Sequence, residues 1–136
     1  MNSKLRVKAL LLDLDGTLVD STEALRDAGR AGFSAIAMAE HNSDEIAFEV
    51  ARRLEQDVPI DDLFTRFDLD AGAVEERFLS AYLNAYYSAV IFKSRLFPKV
   101  KETLNLLSQH FSLALITLRY VVKEQVLDEL RHLGIR

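Results

Sequence analysis

The sequence predicts an α/β fold with a partial core: two evident parallel strands separated by an all-helical insertion. Three observations predict it. The run Val7–Leu12 is almost continuously apolar and leads straight into Asp13 and Asp15. Residues 22 to about 92 carry only helical periodicity. A second apolar run, Phe111–Ile116, then follows an amphipathic stretch and ends at Thr117. Near-continuous apolar strands suit a parallel sheet covered on both faces. A crossover between two parallel strands needs one helix, so a block of several reads as an inserted domain. The boundaries drawn are 1–20 and 96–136 for the partial core, and 21–95 for the insertion.

The first strand explains the residues after it. Side chains alternate along a strand, so Asp13 and Asp15 point one way and Leu14 the other. Charge beside an apolar run is costly unless it is paired or holds a metal. Gly16 frees the backbone for a sharp bend. A strand that delivers carboxylates to its carboxyl end, at the edge of an α/β sheet, places them where such folds bind ligands.

Asp20 or Ser21 can cap a helix from Thr22, with Glu23 favourable in its first turn. Leu25, Ala28, Gly32, Ile36 and Ala39 recur at helical spacing. Gly29 and Gly32 each lower helix propensity by about 1 kcal/mol, which close helix approach on that face would offset. Asn42 and Glu45, three apart, suggest a capping-box start for a second helix carrying Ile46, Val50 and Leu54. Pro59 ends that helix. Ile60 to Phe67 reads as a short helical turn. Asp70 opens a longer helix with Val74, Phe78, Ala81, Tyr82, Ala85 and Ala89 on one face, and Tyr82, Tyr86 and Tyr87 read as packing. Pro98 suits a helix's first turn, with Val100, Leu104 and Leu107 buried. After the second strand comes the loop Leu118–Tyr120. Val122, Val126, Leu130 and Leu133 then mark a last helix, stopped by Gly134.

Composition excludes several classes. The 136 residues suffice for one domain with a real core, or a small core plus an insertion. A net charge of −4 without a basic stripe argues against nucleic acid and anionic membranes. The absence of cysteine removes disulfides, thiolate chemistry and cysteine-based zinc sites. His41, His110 and His132 are scattered without metal-like spacing. Asp13 interrupts the only early apolar run before it could serve as a signal-peptide core, and no run is long enough to span a bilayer. The expected location is the cytoplasm.

Residues 13 to 21, Asp-Leu-Asp-Gly-Thr-Leu-Val-Asp-Ser, resemble the first motif of the haloacid dehalogenase superfamily, in its phosphatase-like branch. Ala114-Leu115-Ile116-Thr117 resembles the second, a hydrophobic strand ending in Ser or Thr, and its position after Leu96-Phe97-Pro98 and a helix agrees. The resemblance implies a partial Rossmannoid core with a helical cap between the two motifs. It implies a phosphate monoester hydrolase with Asp13 as nucleophile and Asp15 as acid and base. Mg²⁺ would be held by Asp13 through its side chain and Asp15 through its backbone carbonyl. Gly16, Thr17 and Thr117 form the implied phosphate-binding set, with Thr17 also steadying the loop. Asp15 favours phosphate over carbon–halogen substrates, since dehalogenating members lack the second acid. The expected ligand is a small phosphorylated metabolite. Asp20 leads into the cap as a hinge or helix cap, and Arg119 reads either as a contact to a substrate anion or as a solvent-exposed side chain.

The resemblance also implies parts not found here. The family's third motif supplies a Lys and its fourth an acidic pair. Lys123 comes too early for the third, and the sequence ends at Arg136, a point where a longer chain would be expected to continue. The first strand would then expose an apolar edge, an aggregation hazard. A second copy, a separate C-terminal half or a segment lost by truncation is expected to cover it. The alternative reading is a non-catalytic module that keeps the capped half-fold and binds a partner or a phosphorylated ligand.

Overall fold

The computed structural model describes residues 7–119 and 121–135; most of the basic N-terminal stretch, Tyr120 of the expected loop and Arg136 lie outside them. In chain order the elements are β1 (Ala9–Asp13), β2 (Val19–Asp20), α1 (Thr22–Ala35), α2 (Asp44–Glu55), α3 (Asp61–Thr65), α4 (Ala71–Lys93), β3 (Arg95–Leu96), α5 (Val100–Ser108), β4 (Ser112–Ile116) and α6 (Lys123–His132). A 3₁₀ turn at Ala39–His41 joins α1 to α2. The chain divides into two units: Thr22–Ser94, and the segments that flank it in sequence.

The flanking segments form a mixed α/β unit. β1 and β4 pair in parallel, from Ala9 opposite Ser112 to Asp13 opposite Ile116. β2 and β3 add a two-residue antiparallel clasp, with Val19 opposite Leu96 and Asp20 opposite Arg95. Two residues are too few to show a period of two, so sequence pattern does not reveal this clasp. It joins the chain where it leaves for the insertion to the chain where it returns. Leu14, Leu18, Val19 and Val126 are buried, with Leu12, Leu115, Val100, Leu104, Leu130 and Leu133 around them. Pro98 lies ahead of α5 rather than in its first turn, and Val122 is the exposed residue before α6.

The strands alternate in exposure, which departs from the expectation of cover on both faces. Leu12 and Leu115 face α5 and α6, whereas Leu11 is 68% and Ile116 52% exposed. Among the described residues nothing covers that second face, and β1 has a strand on one side only. An open groove of about 930 Å³, lined by Leu12, Leu104, Leu113, Leu115 and Leu130, remains on the covered face.

The insertion is helical throughout and has its own core. Phe78 of α4 sits at its centre, 5.1 Å from the Phe33 ring and 5.2 Å from that of Phe64, both edge-on. Tyr82 stacks on Phe78 and donates its hydroxyl to the Ala47 carbonyl at 3.2 Å. Burial pushes that phenol well above its ordinary pKa. Such aromatic pairs stabilise by about 0.5–1.5 kcal/mol each beyond area burial. Tyr82 and Tyr86 are packing residues, as their spacing suggests. The N-cap of α2 is Ser43, whose hydroxyl accepts from Ile46 N–H at 3.2 Å, not the Asn42–Glu45 pair expected. Ser43 is extended and one residue closer to the helix, so its short side chain reaches the third helical amide. Asp70 caps α4, accepting from Gly72 N–H at 3.0 Å. Arg53 ties α2 to α3 by bridging Glu49 and Asp62 and donating to Pro59 O at 2.9 Å. Its hydrogen bonds hold the Asp62 and Glu49 carboxyls below their ordinary pKa range.

Gly29 and Gly32 mark close approach, as anticipated. A Cβ on Gly29 would stand 2.7 Å from Asn42 Oδ1, and one on Gly32 would stand 2.8 Å from the Phe78 ring. Gly32→Ala therefore tests whether packing outweighs propensity. Helix propensity alone favours Ala by about 1 kcal/mol. Overpacking against a fully buried ring costs about 1–3 kcal/mol. Urea unfolding should show a net loss of stability; a variant more stable than the wild type would contradict this packing.

Candidate active site

β1 ends at Asp13, and the chain turns within the next few residues. Leu14 is fully buried and anchors the turn: its carbonyl accepts from Leu18 N–H and Val19 N–H, both at 3.0 Å, and from Thr17 N–H at 3.4 Å. Gly16 adopts φ 74°, a conformation open to glycine at little cost. Its N–H donates to Val19 O at 2.9 Å. Gly16 thus shapes the turn, and its own amide is engaged within the loop. Burial of Leu14 on one side directs Asp13 to the exposed side, with Asp15 partly buried.

Thr17 lies over the end of the strand, and its hydroxyl donates to Asp13 Oδ2 at 3.3 Å. This contact orients the Asp13 carboxylate. The β1–β4 register brings Thr117 to the same edge: Asp13 pairs with Ile116, and Thr117 is the next residue. Its Oγ1 accepts from Arg119 N–H at 3.3 Å, a local turn that bends the chain away after β4. Asp13, Asp15, Gly16, Thr17 and Thr117 therefore all lie at the carboxyl ends of two paired strands.

Arg119 is not the solvent-exposed side chain that its place in the sequence allowed. Its side chain is 5% exposed and grips Asp15 with two bonds, Nε to Oδ2 at 2.7 Å and Nη2 to Oδ1 at 2.6 Å. The same guanidinium is paired with Glu129 of α6, whose side chain is 1% exposed. Planar two-point recognition of a carboxylate is what the guanidinium fork provides. Removing one partner from such a buried group costs about 3–5 kcal/mol, because the other charge is left uncompensated.

Glu129 is the functional neighbour that sequence reasoning missed. A signal existed: it lies three residues after Val126 and next to Leu130, on the stripe that α6 buries. A carboxylate on an apolar stripe needs a cation, and Arg119 is that cation. Asp20 belongs to the β2–β3 clasp, opposite Arg95.

The donor set suits Mg²⁺ in part. Asp13 offers an exposed carboxylate, while both Asp15 side-chain oxygens are taken by Arg119. One carboxylate, a backbone carbonyl and substrate oxygens, completed by waters, is a donor set that Mg²⁺ accepts. Among the described residues no group of three or more His, Cys, Asp and Glu could hold a metal by itself. No described helix is long and apolar enough to cross a membrane.

Comparison with known proteins places the chain. Solved structures share its fold. A haloacid dehalogenase-like family hydrolase of Streptococcus pneumoniae is 24% identical, with a TM-score of 0.67, over 95% of this chain and 57% of that one. A Haemophilus somnus protein described as a predicted phosphoglycolate phosphatase is 27% identical, with a TM-score of 0.54, over 95% of this chain and 58% of that one. A Bacillus subtilis HAD-hydrolase in a magnesium-bound structure is 21% identical, with a TM-score of 0.54, over 96% of this chain and 61% of that one. The chain thus spans less than two thirds of each of these proteins. No curated protein sequence matches it significantly. The model of the haloacid dehalogenase-like hydrolases matches residues 7–135, on both sides of the insertion and through it, and the chain belongs to that family.

Proposed function

We propose that this chain carries the nucleophile half of a Mg²⁺-dependent phosphate monoester hydrolase. The observation that carries the reading is the delivery of Asp13 and Asp15 to one strand end, with Thr17 on Asp13 and Thr117 directly after the neighbouring strand. A small phosphorylated metabolite is the substrate class that this edge suits.

The chemistry follows from the residues. Asp13 attacks phosphorus and forms an aspartyl-phosphate, while the bond to the leaving oxygen breaks and its electron pair stays on that oxygen. Asp15 gives that oxygen a proton and then takes one from the water that attacks the aspartyl-phosphate. That attack breaks the bond from Asp13 to phosphorus and releases phosphate. Thr117 supplies a hydroxyl to the phosphoryl oxygens. Thr17 holds the Asp13 carboxylate in place. When bound at Asp13 and the Asp15 carbonyl, Mg²⁺ would offset the repulsion between a carboxylate and a phosphate dianion.

A second reading is a module that binds phosphorylated ligands without turning them over. The bare Leu11 and Ile116 face and the open edge of β1 call for a partner under either reading. In the isolated chain we propose a second copy in that place; in a longer protein a C-terminal half would take it.

With p-nitrophenyl phosphate, slow turnover is expected that requires Mg²⁺ and stops on chelation. Asp13→Asn should lower it by about two orders of magnitude or more. Turnover untouched by Asp13→Asn would overturn the proposal, and binding of phosphate without turnover would favour the module. Light scattering on the isolated chain should give at least twice the mass of one chain. A monodisperse monomer would contradict the proposed self-association.

A further inference from the structure

Reading Asp15 as acid and base leaves open what orients it. A general acid or base must be held in line with the proton it transfers, and small misplacements are costly in rate. The Asp15 backbone is bridged to Val19, which fixes the start of the side chain but leaves the torsions that aim the carboxyl to be set by contacts. We propose that Arg119 is the positioning residue for the Asp15 carboxyl and that Glu129 is the buried anchor that fixes Arg119. The inference rests on the hydrolase reading for its consequence in catalysis, but the grip itself can be measured without substrate.

Two features carry it. First, the guanidinium bonds both Asp15 oxygens, through Nε and Nη2, which fixes the plane of the carboxyl as well as its place. Second, Arg119 cannot follow a substrate anion outward, because Glu129 holds it from α6 and both side chains are almost wholly buried. Surface pairs gain little and move freely, whereas this one is enclosed. The chain order also fits. Thr117 accepts from the backbone N–H of Arg119, so the turn that presents the Thr117 hydroxyl also aims the Arg119 side chain back at Asp15.

The test separates positioning from bulk structure. Arg119→Lys keeps the charge and loses the fork. Nitrophenolate leaves without needing a proton, whereas the alkoxide of glycerol 2-phosphate needs one. With p-nitrophenyl phosphate, Arg119→Lys should release the first equivalent within about threefold of the wild-type rate and then slow at least tenfold, giving a burst. With glycerol 2-phosphate, the first turnover itself should slow at least tenfold. Equal slowing of both esters without a burst would overturn the proposal. Glu129→Gln should show the same pattern more weakly, and it serves if Arg119→Lys does not fold. Without substrate, NMR exchange of the Arg119 Nε–H should speed at least tenfold in Asp15→Ala, because that proton faces Asp15 and not Glu129. Unchanged exchange would overturn the grip. If the wild type hydrolyses neither ester, the hydrolase reading fails, and the exchange result alone decides the placement of Arg119.

Discussion

Parallel pairing of β1 with β4 sets Asp13 opposite Ile116, and the position of every candidate residue follows from that register. Side chains alternate, so a slip of one residue would turn each strand over. Asp13 would then point where Leu12 now points, against α5 and α6, and Leu12 would face out. The burial of Leu12, Leu14 and Leu115 opposes that slip. The site is therefore held by apolar side chains that take no part in chemistry. Leu14 contributes twice, through its buried side chain and through the carbonyl that gathers the turn.

The charged groups behind this edge answer a different need. Arg119, Asp15 and Glu129 place two carboxylates and one guanidinium in a nearly enclosed space. Taking such groups from water costs several kcal/mol per ion, and apolar residues of similar volume often stabilise a fold as well or better. The cluster is thus a poor device for stability alone. It makes sense as a device for geometry, because it ties the loop after β1, the turn after β4 and the inward face of α6 to one carboxyl. The exposed pairs of the insertion, such as Arg26 with Asp44, are of a different kind: half-solvated and worth little each.

The strong local patterns were legible in the sequence and the weak or distant ones were not. Apolar runs followed by acids marked β1, and helical spacing marked α1, α2, α4, α5 and α6. Gly29 and Gly32 announced close packing because glycine inside a helix needs a reason. The β2–β3 clasp was invisible because two residues carry no period. Cover on both faces of β1 was inferred from its apolar run, yet Leu11 lies bare, because a run of leucines records what a strand can bury and not what is present to bury it. Arg119 was unreadable for a related reason. Its partners are Asp15, on a distant stretch, and Glu129, whose place on the apolar stripe of α6 calls for a cation without showing which one.

The covalent bond from Asp13 to phosphorus that we propose can be tested directly at that residue. The chain would be incubated with Mg²⁺ and acetyl phosphate, quenched, reduced with borohydride and digested for mass spectrometry. Asp13, and no other acid of the loop, should be converted to homoserine, the product of reducing an aspartyl-phosphate. An unmodified Asp13, or reduction at Asp15 instead, would contradict the proposal.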